Sequence, residues 1–263
     1  MDRRGAADEL GQGCDSVGEL ARRLVTILYT RLASVYHELY QSIFDYKRDF
    51  RVLHAILKKH RSMRVLEIGC GAGNLAPMFL DAGYDYIGMD RAEPMLRIAR
   101  QEVPAARFLR GDMRGFSMRR KVDAVVIAGR SFTYMTGNQD VRNALRCVRS
   151  ALRPGGLLIL DNFDAERIFH DFDKPLPDER FRTSERTITR RSERAMNLKT
   201  GWTWNWDAVY EVEEGGRTKT YRDHSVLRAF TRDEMRLFLE LAGFTVASCR
   251  RGPASFLMIA RAS

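Results

Sequence analysis

Three acidic residues and a glycine-rich turn fall where they could act on one ligand. Gly69, Gly71 and Gly73 close a short aliphatic run, Val65-Leu66-Glu67-Ile68, and open a helical pattern. Glycines there let the backbone turn tightly and approach a ligand with no Cβ in the way. Nicotinamide- and flavin-binding domains use turns of a similar kind, so the turn alone leaves the ligand open. The spacing E-x-G-x-G-x-G narrows the choice. A nicotinamide fingerprint needs its third glycine further on, so that a helix N-terminus can hold a pyrophosphate. Glu67 would repel a pyrophosphate, whereas a cationic amino-acid ligand would not be repelled. Asp90 and Asp112 follow two later aliphatic runs, and Ala128–Gly129–Arg130 follows a fourth. An open parallel sheet binds its ligands at such strand ends.

The elements that must position these residues alternate. Strand patterns at 64–68, 86–89, 106–110, 124–128 and 157–160 are separated by amphipathic segments at 75–82, 92–101 and 140–152. Gly83 and Pro154-Gly155-Gly156 are helix stops, and the alternation is that of a parallel sheet wound with helices. Residues 20–60 read as helices with a break around 41–45. Beyond 163 the character changes: Pro175 and Pro177 precede alternating runs at 186–191, 202–212 and 218–227, the last two joined by Gly215-Gly216. That pattern predicts an inserted antiparallel sheet. A helix returns at 231–242, with Thr231 and Glu234 in capping-box positions and Gly243 as its stop. Strands at 245–250 and 256–261 follow.

The expected fold is therefore α/β: a Rossmann-like, mostly parallel, seven-stranded sheet with an inserted antiparallel β-rich capping region. Its parts are a loose tail (1–18), an N-terminal helical lid (19–60), the Rossmann-like core (61–162 and 231–263) and the capping insertion (163–230). With 263 residues and 44% hydrophobic content the chain can bury one sizeable core with an elaboration. No stretch approaches the roughly 18 unbroken apolar residues of a membrane helix. The polar N-terminus lacks the apolar segment of a secretory signal, so a cytoplasmic protein is expected. Cys14, Cys70, Cys147 and Cys249 form no CxxC pair and predict neither a disulfide framework nor a metal site. The net charge of +10 admits a nucleic-acid partner, but the arginines are spread along the chain, as on a solvated basic surface.

The segment Val65–Asn74, Asp90 in Gly88-Met89-Asp90, Gly111-Asp112-Met113, the stretch 123–135 and the loop 152–156 resemble, in order, five motifs of the class I S-adenosylmethionine-dependent methyltransferases. The resemblance implies S-adenosylmethionine as cofactor. It places Gly69, Cys70 and Gly71 along the cofactor, Asp90 with Arg91 at the ribose, Asp112 and Met113 at the adenine, and Ala128 beside them. Glu67 would order the turn from just below it. Tyr29, Tyr36 and Tyr46, recurring with Ala33, resemble the lid of small-molecule N-methyltransferases of the deoxyaminosugar type, whose tyrosines close over the methionine part. A packing stripe of Tyr29, Tyr36 and Tyr40 is the other reading.

Methyl transfer from a sulfonium is an in-line displacement, so orientation supplies much of the catalysis and no metal is required. The fourth motif reads Ala128-Gly129-Arg130-Ser131-Phe132-Thr133-Tyr134 and carries neither base-methylation signature, neither Asn/Asp-Pro-Pro-aromatic nor Pro-Cys. It resembles the small-molecule group, with Tyr134 where the aminosugar enzymes place a His, which puts an identical substrate in doubt. The resemblance makes Tyr134 and His224, the latter in the insertion, the candidate catalytic residues. Trp202, Trp204 and Trp206 share one strand face, to be buried in a core or dimer contact or to form an aromatic wall. The arginines of 180–194 either bind an anionic substrate or form a solvated strand edge. The expectation is an enzyme methylating an amine or hydroxyl of a small metabolite. The alternatives are a tRNA or rRNA methyltransferase and a catalytically silent cofactor-binding protein; a homodimer stays open.

Overall fold

The computed structural model describes residues 26–183 and 185–263. The tail 1–18, Cys14 and the start of the expected first helix lie outside the described residues. A 3-10 turn, Ile27–Tyr29, leads into α1 (Ala33–Ile43) and α2 (Tyr46–Lys59). The core then runs β1 (Arg64–Ile68), α3 (Ala76–Asp81), β2 (Asp85–Asp90), α4 (Glu93–Glu102), β3 (Arg107–Arg110), β4 (Val122–Ile127), a 3-10 turn (Ser131–Tyr134), α5 (Asn138–Ala151) and β5 (Leu152–Phe163). The insertion holds α6 (Ala165–His170), β6 (Glu179–Arg182), β7 (Arg186–Met196), β8 (Trp202–Glu214) and β9 (Arg217–Ala229). The core resumes with α7 (Arg232–Leu241), β10 (Phe244–Arg251) and β11 (Ser255–Ala262).

The seven-stranded sheet has the order β10-β11-β5-β4-β1-β2-β3. It is parallel except around β11, which is antiparallel to both neighbours. Every residue of β1 is buried, because helices cover both faces of a doubly wound sheet. Leu66, Ile87, Val125 and Leu158 pack under α5 and α7 on one face. Val65, Tyr86, Phe108 and Val126 meet α2, α3 and α4 on the other. The Thr231 hydroxyl accepts the Glu234 N–H at 3.1 Å and caps α7. The Glu234 carboxylate, however, turns to the buried Arg228 at 2.6 Å instead of completing a reciprocal box.

The second sheet, β6-β7-β8-β9, is antiparallel throughout and separate from the first. Gly215 and Gly216 close β8 onto β9 with φ of 55° and 74°, the positive pair that a two-residue hairpin turn of matching twist requires. The inner face of this sheet, Ile188, Ala208, Tyr210 and Val212, packs against Leu28, Leu32 and Val35. The turn at 27–29 and α1 therefore fill the space between the insertion and the core sheet.

Several expectations are corrected in detail. Tyr29 sits on the 3-10 turn, one element before the helix that carries Tyr36 and Tyr40. Helix α5 ends at Ala151, and β5 begins before Pro154 and runs past Leu160 to Phe163. Helix α6 and strand β6 were not foreseen. Trp204 is 1% exposed in the core of the insertion, yet Trp202 is 40% exposed, so the tryptophan face is buried only in part. The arginines of the insertion are committed locally: Arg190 pairs with Glu179, Arg191 with Glu211 and Asp178, and Arg186 with Glu214 and Glu38.

Candidate active site

A single cleft crosses the carboxyl ends of the core strands. One half is lined by Asp112, Met113, Asp90, Arg91, Tyr29 and Tyr134. The other is a cavity of about 540 Å³ reached by Tyr46, Cys70, Ala128, Arg130 and Asp161. Tyr36, Gly69, Gly71, Gly129 and Ser131 belong to both halves. The order along the cleft follows the sheet from β3 through β2, β1 and β4 to β5. Neighbouring strands lie about 4.8 Å apart, so the cleft suits an elongated ligand.

The glycine turn is packed against its surroundings. A Cβ on Gly69, at φ 76°, would lie 2.3 Å from Ser131 Oγ, and the Gly69 N–H donates to Met89 O at 2.7 Å. Asp90 holds the turn from the side, its carboxylate accepting the Gly71 N–H at 2.9 Å and the Ala92 N–H at 2.8 Å. Burial pushes the Asp90 carboxyl up, and these backbone donors work against that shift.

Beneath the turn, Glu67 accepts the Tyr86 hydroxyl at 2.5 Å. Burial pushes its carboxyl up to about 7, opposed by the Tyr86 bond and reinforced by Asp90. Glu67 is thus tied to β2, and it also lines the cavity.

Asp112 lines the cleft, but its carboxylate is engaged by Arg114, whose Nε donates at 2.9 Å and Nη2 at 2.6 Å. Burial would raise its carboxyl, and Arg114 outweighs that and holds it below the ordinary value.

The lid tyrosines form one aromatic stack. Tyr29 meets Tyr36 edge-on at 5.0 Å between ring centres, and Tyr36 stacks on Tyr40 at 4.0 Å. The packing of Tyr29, Tyr36 and Tyr40 on one another is thus met, and Tyr29 and Tyr36 also wall the cleft. Burial pushes the hydroxyls of Tyr29, Tyr36 and Tyr134 above their ordinary value, and that of Tyr46 up to about 12. Tyr134 bonds Tyr29 at 2.8 Å, and burial favours its neutral hydroxyl.

His224 lies outside the cleft. It projects from the exposed face of β9, pairs with Asp207 at 2.7 Å and is 58% exposed. It lines an open depression on the insertion, away from the cleft. Its neighbour Asp223 is the inward-facing residue, 7% exposed and accepting backbone N–H bonds from Ile27 and Leu28. Residues of the cleft and its roof that sequence reasoning did not single out are Asp161 and Arg130, which line the cavity, and Asp223, which holds the 27–29 turn. The first is masked in the sequence because β5 extends further than its aliphatic run. Among the described residues no acidic, His or Cys cluster could hold a metal, and no helix is long and apolar enough to cross a membrane.

A glycine turn on a central strand, acidic residues at the next two strand ends and a roofed cleft define a Rossmann-like methyltransferase domain. A family profile described as a methyltransferase domain matches residues 65–156. The chain is 31% identical over 169 residues to YqeM of Bacillus subtilis (strain 168), provisionally named a methyltransferase, covering 62% of this chain and 65% of that protein. It is 26% identical to dTDP-3-amino-3,4,6-trideoxy-alpha-D-glucopyranose N,N-dimethyltransferase of Streptomyces venezuelae, covering 72% and 78%. Among solved structures, S-adenosylmethionine-bound CalS10, an amino pentose methyltransferase from Micromonospora echinaspora, superposes with a TM-score of 0.74. It is 23% identical, covering 87% of this chain and 97% of that one. Over residues 65–156 the chain is similar to a methyltransferase domain, it spans less than two thirds of the length of YqeM, and its fold is shared with a protein that binds S-adenosylmethionine. Its glycine cradle, in which a side chain would collide with Ser131, and its polar strand ends fit that cofactor.

Proposed function

We propose that the protein methylates an amine of a small metabolite, with S-adenosylmethionine as donor. The observation that carries this reading is the cleft itself, which continues past the glycine turn into a cavity of about 540 Å³ walled by Tyr46, Arg130 and Asp161. S-adenosylmethionine supplies an electrophilic methyl group on a sulfonium. The chain's residues do the rest. Asp90 and the glycine turn fix the nucleoside end, and Asp112 stands at the adenine end. Tyr36 and Tyr46 cover the sulfonium side and exclude water, so that the acceptor is held in line.

The similarity to an aminosugar dimethyltransferase and to an amino pentose methyltransferase supports an aminosugar-like acceptor. The pairing of Arg186, Arg190 and Arg191 with carboxylates weighs against a nucleic-acid substrate despite the +10 charge. A cytoplasmic location and a homodimer, for which the exposed Trp202 offers a contact, belong to the same reading.

The test is methyl incorporation from labelled donor into nucleotide-linked aminosugars and small amines. Bulk tRNA and duplex DNA are assayed beside them at two salt concentrations. Label in amines only is the expected result; salt-sensitive binding with label in RNA would overturn the reading.

A further inference from the structure

Asp161 stands at the end of β5, beyond the glycine turn and beyond the β4 end. Walking along the sheet, the adenine, ribose and methionine positions use the ends of β3, β2 and β1. The β5 end is then the next place a second substrate can lie. The Asp161 carboxylate faces the cavity at that end and is oriented by backbone donors, accepting the Arg130 N–H at 2.7 Å and also the Gly129 N–H. Gly129 and Arg130 are both left-handed, with φ of 66° and 62°. This turn brings both N–H groups onto the one carboxylate.

The charged groups around it come from four elements. Arg130 follows β4, Arg48 and Asp49 lie on α2, Glu67 lies on β1, and Arg250 and Arg251 close the cavity from β10. The Arg130 guanidinium is held by rings, 5.0 Å from the centre of Phe163 and 5.9 Å from that of Phe44, and its buried Nε has no hydrogen-bond partner among the described residues. Glu67 is spoken for by Tyr86, and the cleft tyrosines are neutral. His224 is on the far side of the insertion.

We infer that Asp161 receives the acceptor's ammonium group, takes its proton and so releases the lone pair that attacks the methyl group. This rests on the amine reading above. The balance is simple. R–NH3+ gives one proton to the Asp161 carboxylate, leaving R–NH2 and a neutral carboxyl. The amine then forms the N–C bond as the C–S bond breaks, the bonding pair staying on sulfur, which becomes a neutral thioether. The product leaves as a methylammonium ion, and Asp161 returns its proton to water. Burial, with Asp49 nearby, pushes the Asp161 carboxyl up to about 6 despite Arg130, which suits a proton acceptor working near neutrality.

Asp161→Asn is the test, because an amide oxygen still accepts the two backbone N–H groups and keeps the turn. Binding of S-adenosylhomocysteine, measured calorimetrically, should be unchanged within about two-fold. The kcat for amine methylation at pH 7 should fall about a hundred-fold or more. The rise of the wild-type rate between about pH 5 and 7 should flatten in the variant. A variant with wild-type kcat and pH profile overturns the inference and leaves the amine reading intact. Lost cofactor binding also overturns it, assigning Asp161 to the methionine ammonium or to the turn. If the wild type methylates hydroxyls only, the amine reading falls first and this role falls with it.

Discussion

The hydroxyl of Tyr29 lies 2.8 Å from that of Tyr134, joining the N-terminal turn to the loop after β4. The rings also meet edge-on, 5.9 Å between centres. Two elements remote in the chain thus close the nucleoside half of the cleft with one bond. Removing either hydroxyl leaves its partner buried. Tyr29→Phe and Tyr134→Phe should each cost about 1–3 kcal/mol of stability, and the double variant less than the sum. Denaturant melts of the four proteins check this. Strict additivity would show that the bond contributes nothing.

Asp90→Ala removes the acceptor of the Gly71 and Ala92 N–H groups and, on the proposed reading, the ribose partner. Cofactor binding should weaken by about 1.5–3 kcal/mol, read by calorimetry with S-adenosylhomocysteine. Unchanged affinity would take Asp90 out of the site.

Glu67 links stability to pH. Its carboxyl titrates near 7 in the folded protein and at its ordinary value of 4.5 when unfolded. Neutral Glu67 stabilises the fold fully below pH 4.5, and that stabilisation is lost as pH rises to 7. Glu67→Gln should therefore be more stable than wild type at pH 8, by an amount on the order of a few kcal/mol. The difference should shrink towards zero near pH 4.5. Paired thermal melts at both pH values decide it, and an unchanged difference would remove Glu67 as its source.

His224→Ala should leave kcat and KM within about two-fold, because the side chain lies outside the cleft and its ion pair with Asp207 is exposed, worth about 0–1 kcal/mol. Steady-state kinetics check this. A ten-fold loss would return His224 to the catalytic machinery.

Much of this was legible in the chain. Val65-Leu66-Glu67-Ile68 followed by glycines announces a buried central strand and a ligand turn, because both are dictated locally. Asp90 was legible as the first polar residue after an aliphatic run, and Asp112 by the resemblance of Gly111-Asp112-Met113 to a family motif. His224 was not, because β9 alternates ambiguously: Val226 and Leu227 are both apolar, so the inward face cannot be read from the pattern. Pairing with β8 decides it, setting Asp223 opposite Ala208 and His224 opposite Asp207. Asp161 was missed for a related reason. A buried carboxylate contributes nothing to a hydrophobic run, and its partner turn depends on Arg130 adopting φ 62°, which residue type does not announce. The Arg114 fork on Asp112 likewise needs the loop's shape.

The packing of Leu28, Leu32 and Val35 against Ile188, Ala208 and Tyr210 has a consequence for biosynthesis. The lid emerges from the ribosome before the insertion, and its docking face is made only after strands β1–β5. Chains fold as they are made, N-terminal parts first, and joining distant segments carries a loop-closure cost. The nascent lid must therefore wait, its apolar residues uncovered, until β9 has been released. The cleft is thus a late product of folding, and a ribosome stalled before residue 186 would carry strands β1–β5 without β10, β11 or the roof of the cleft.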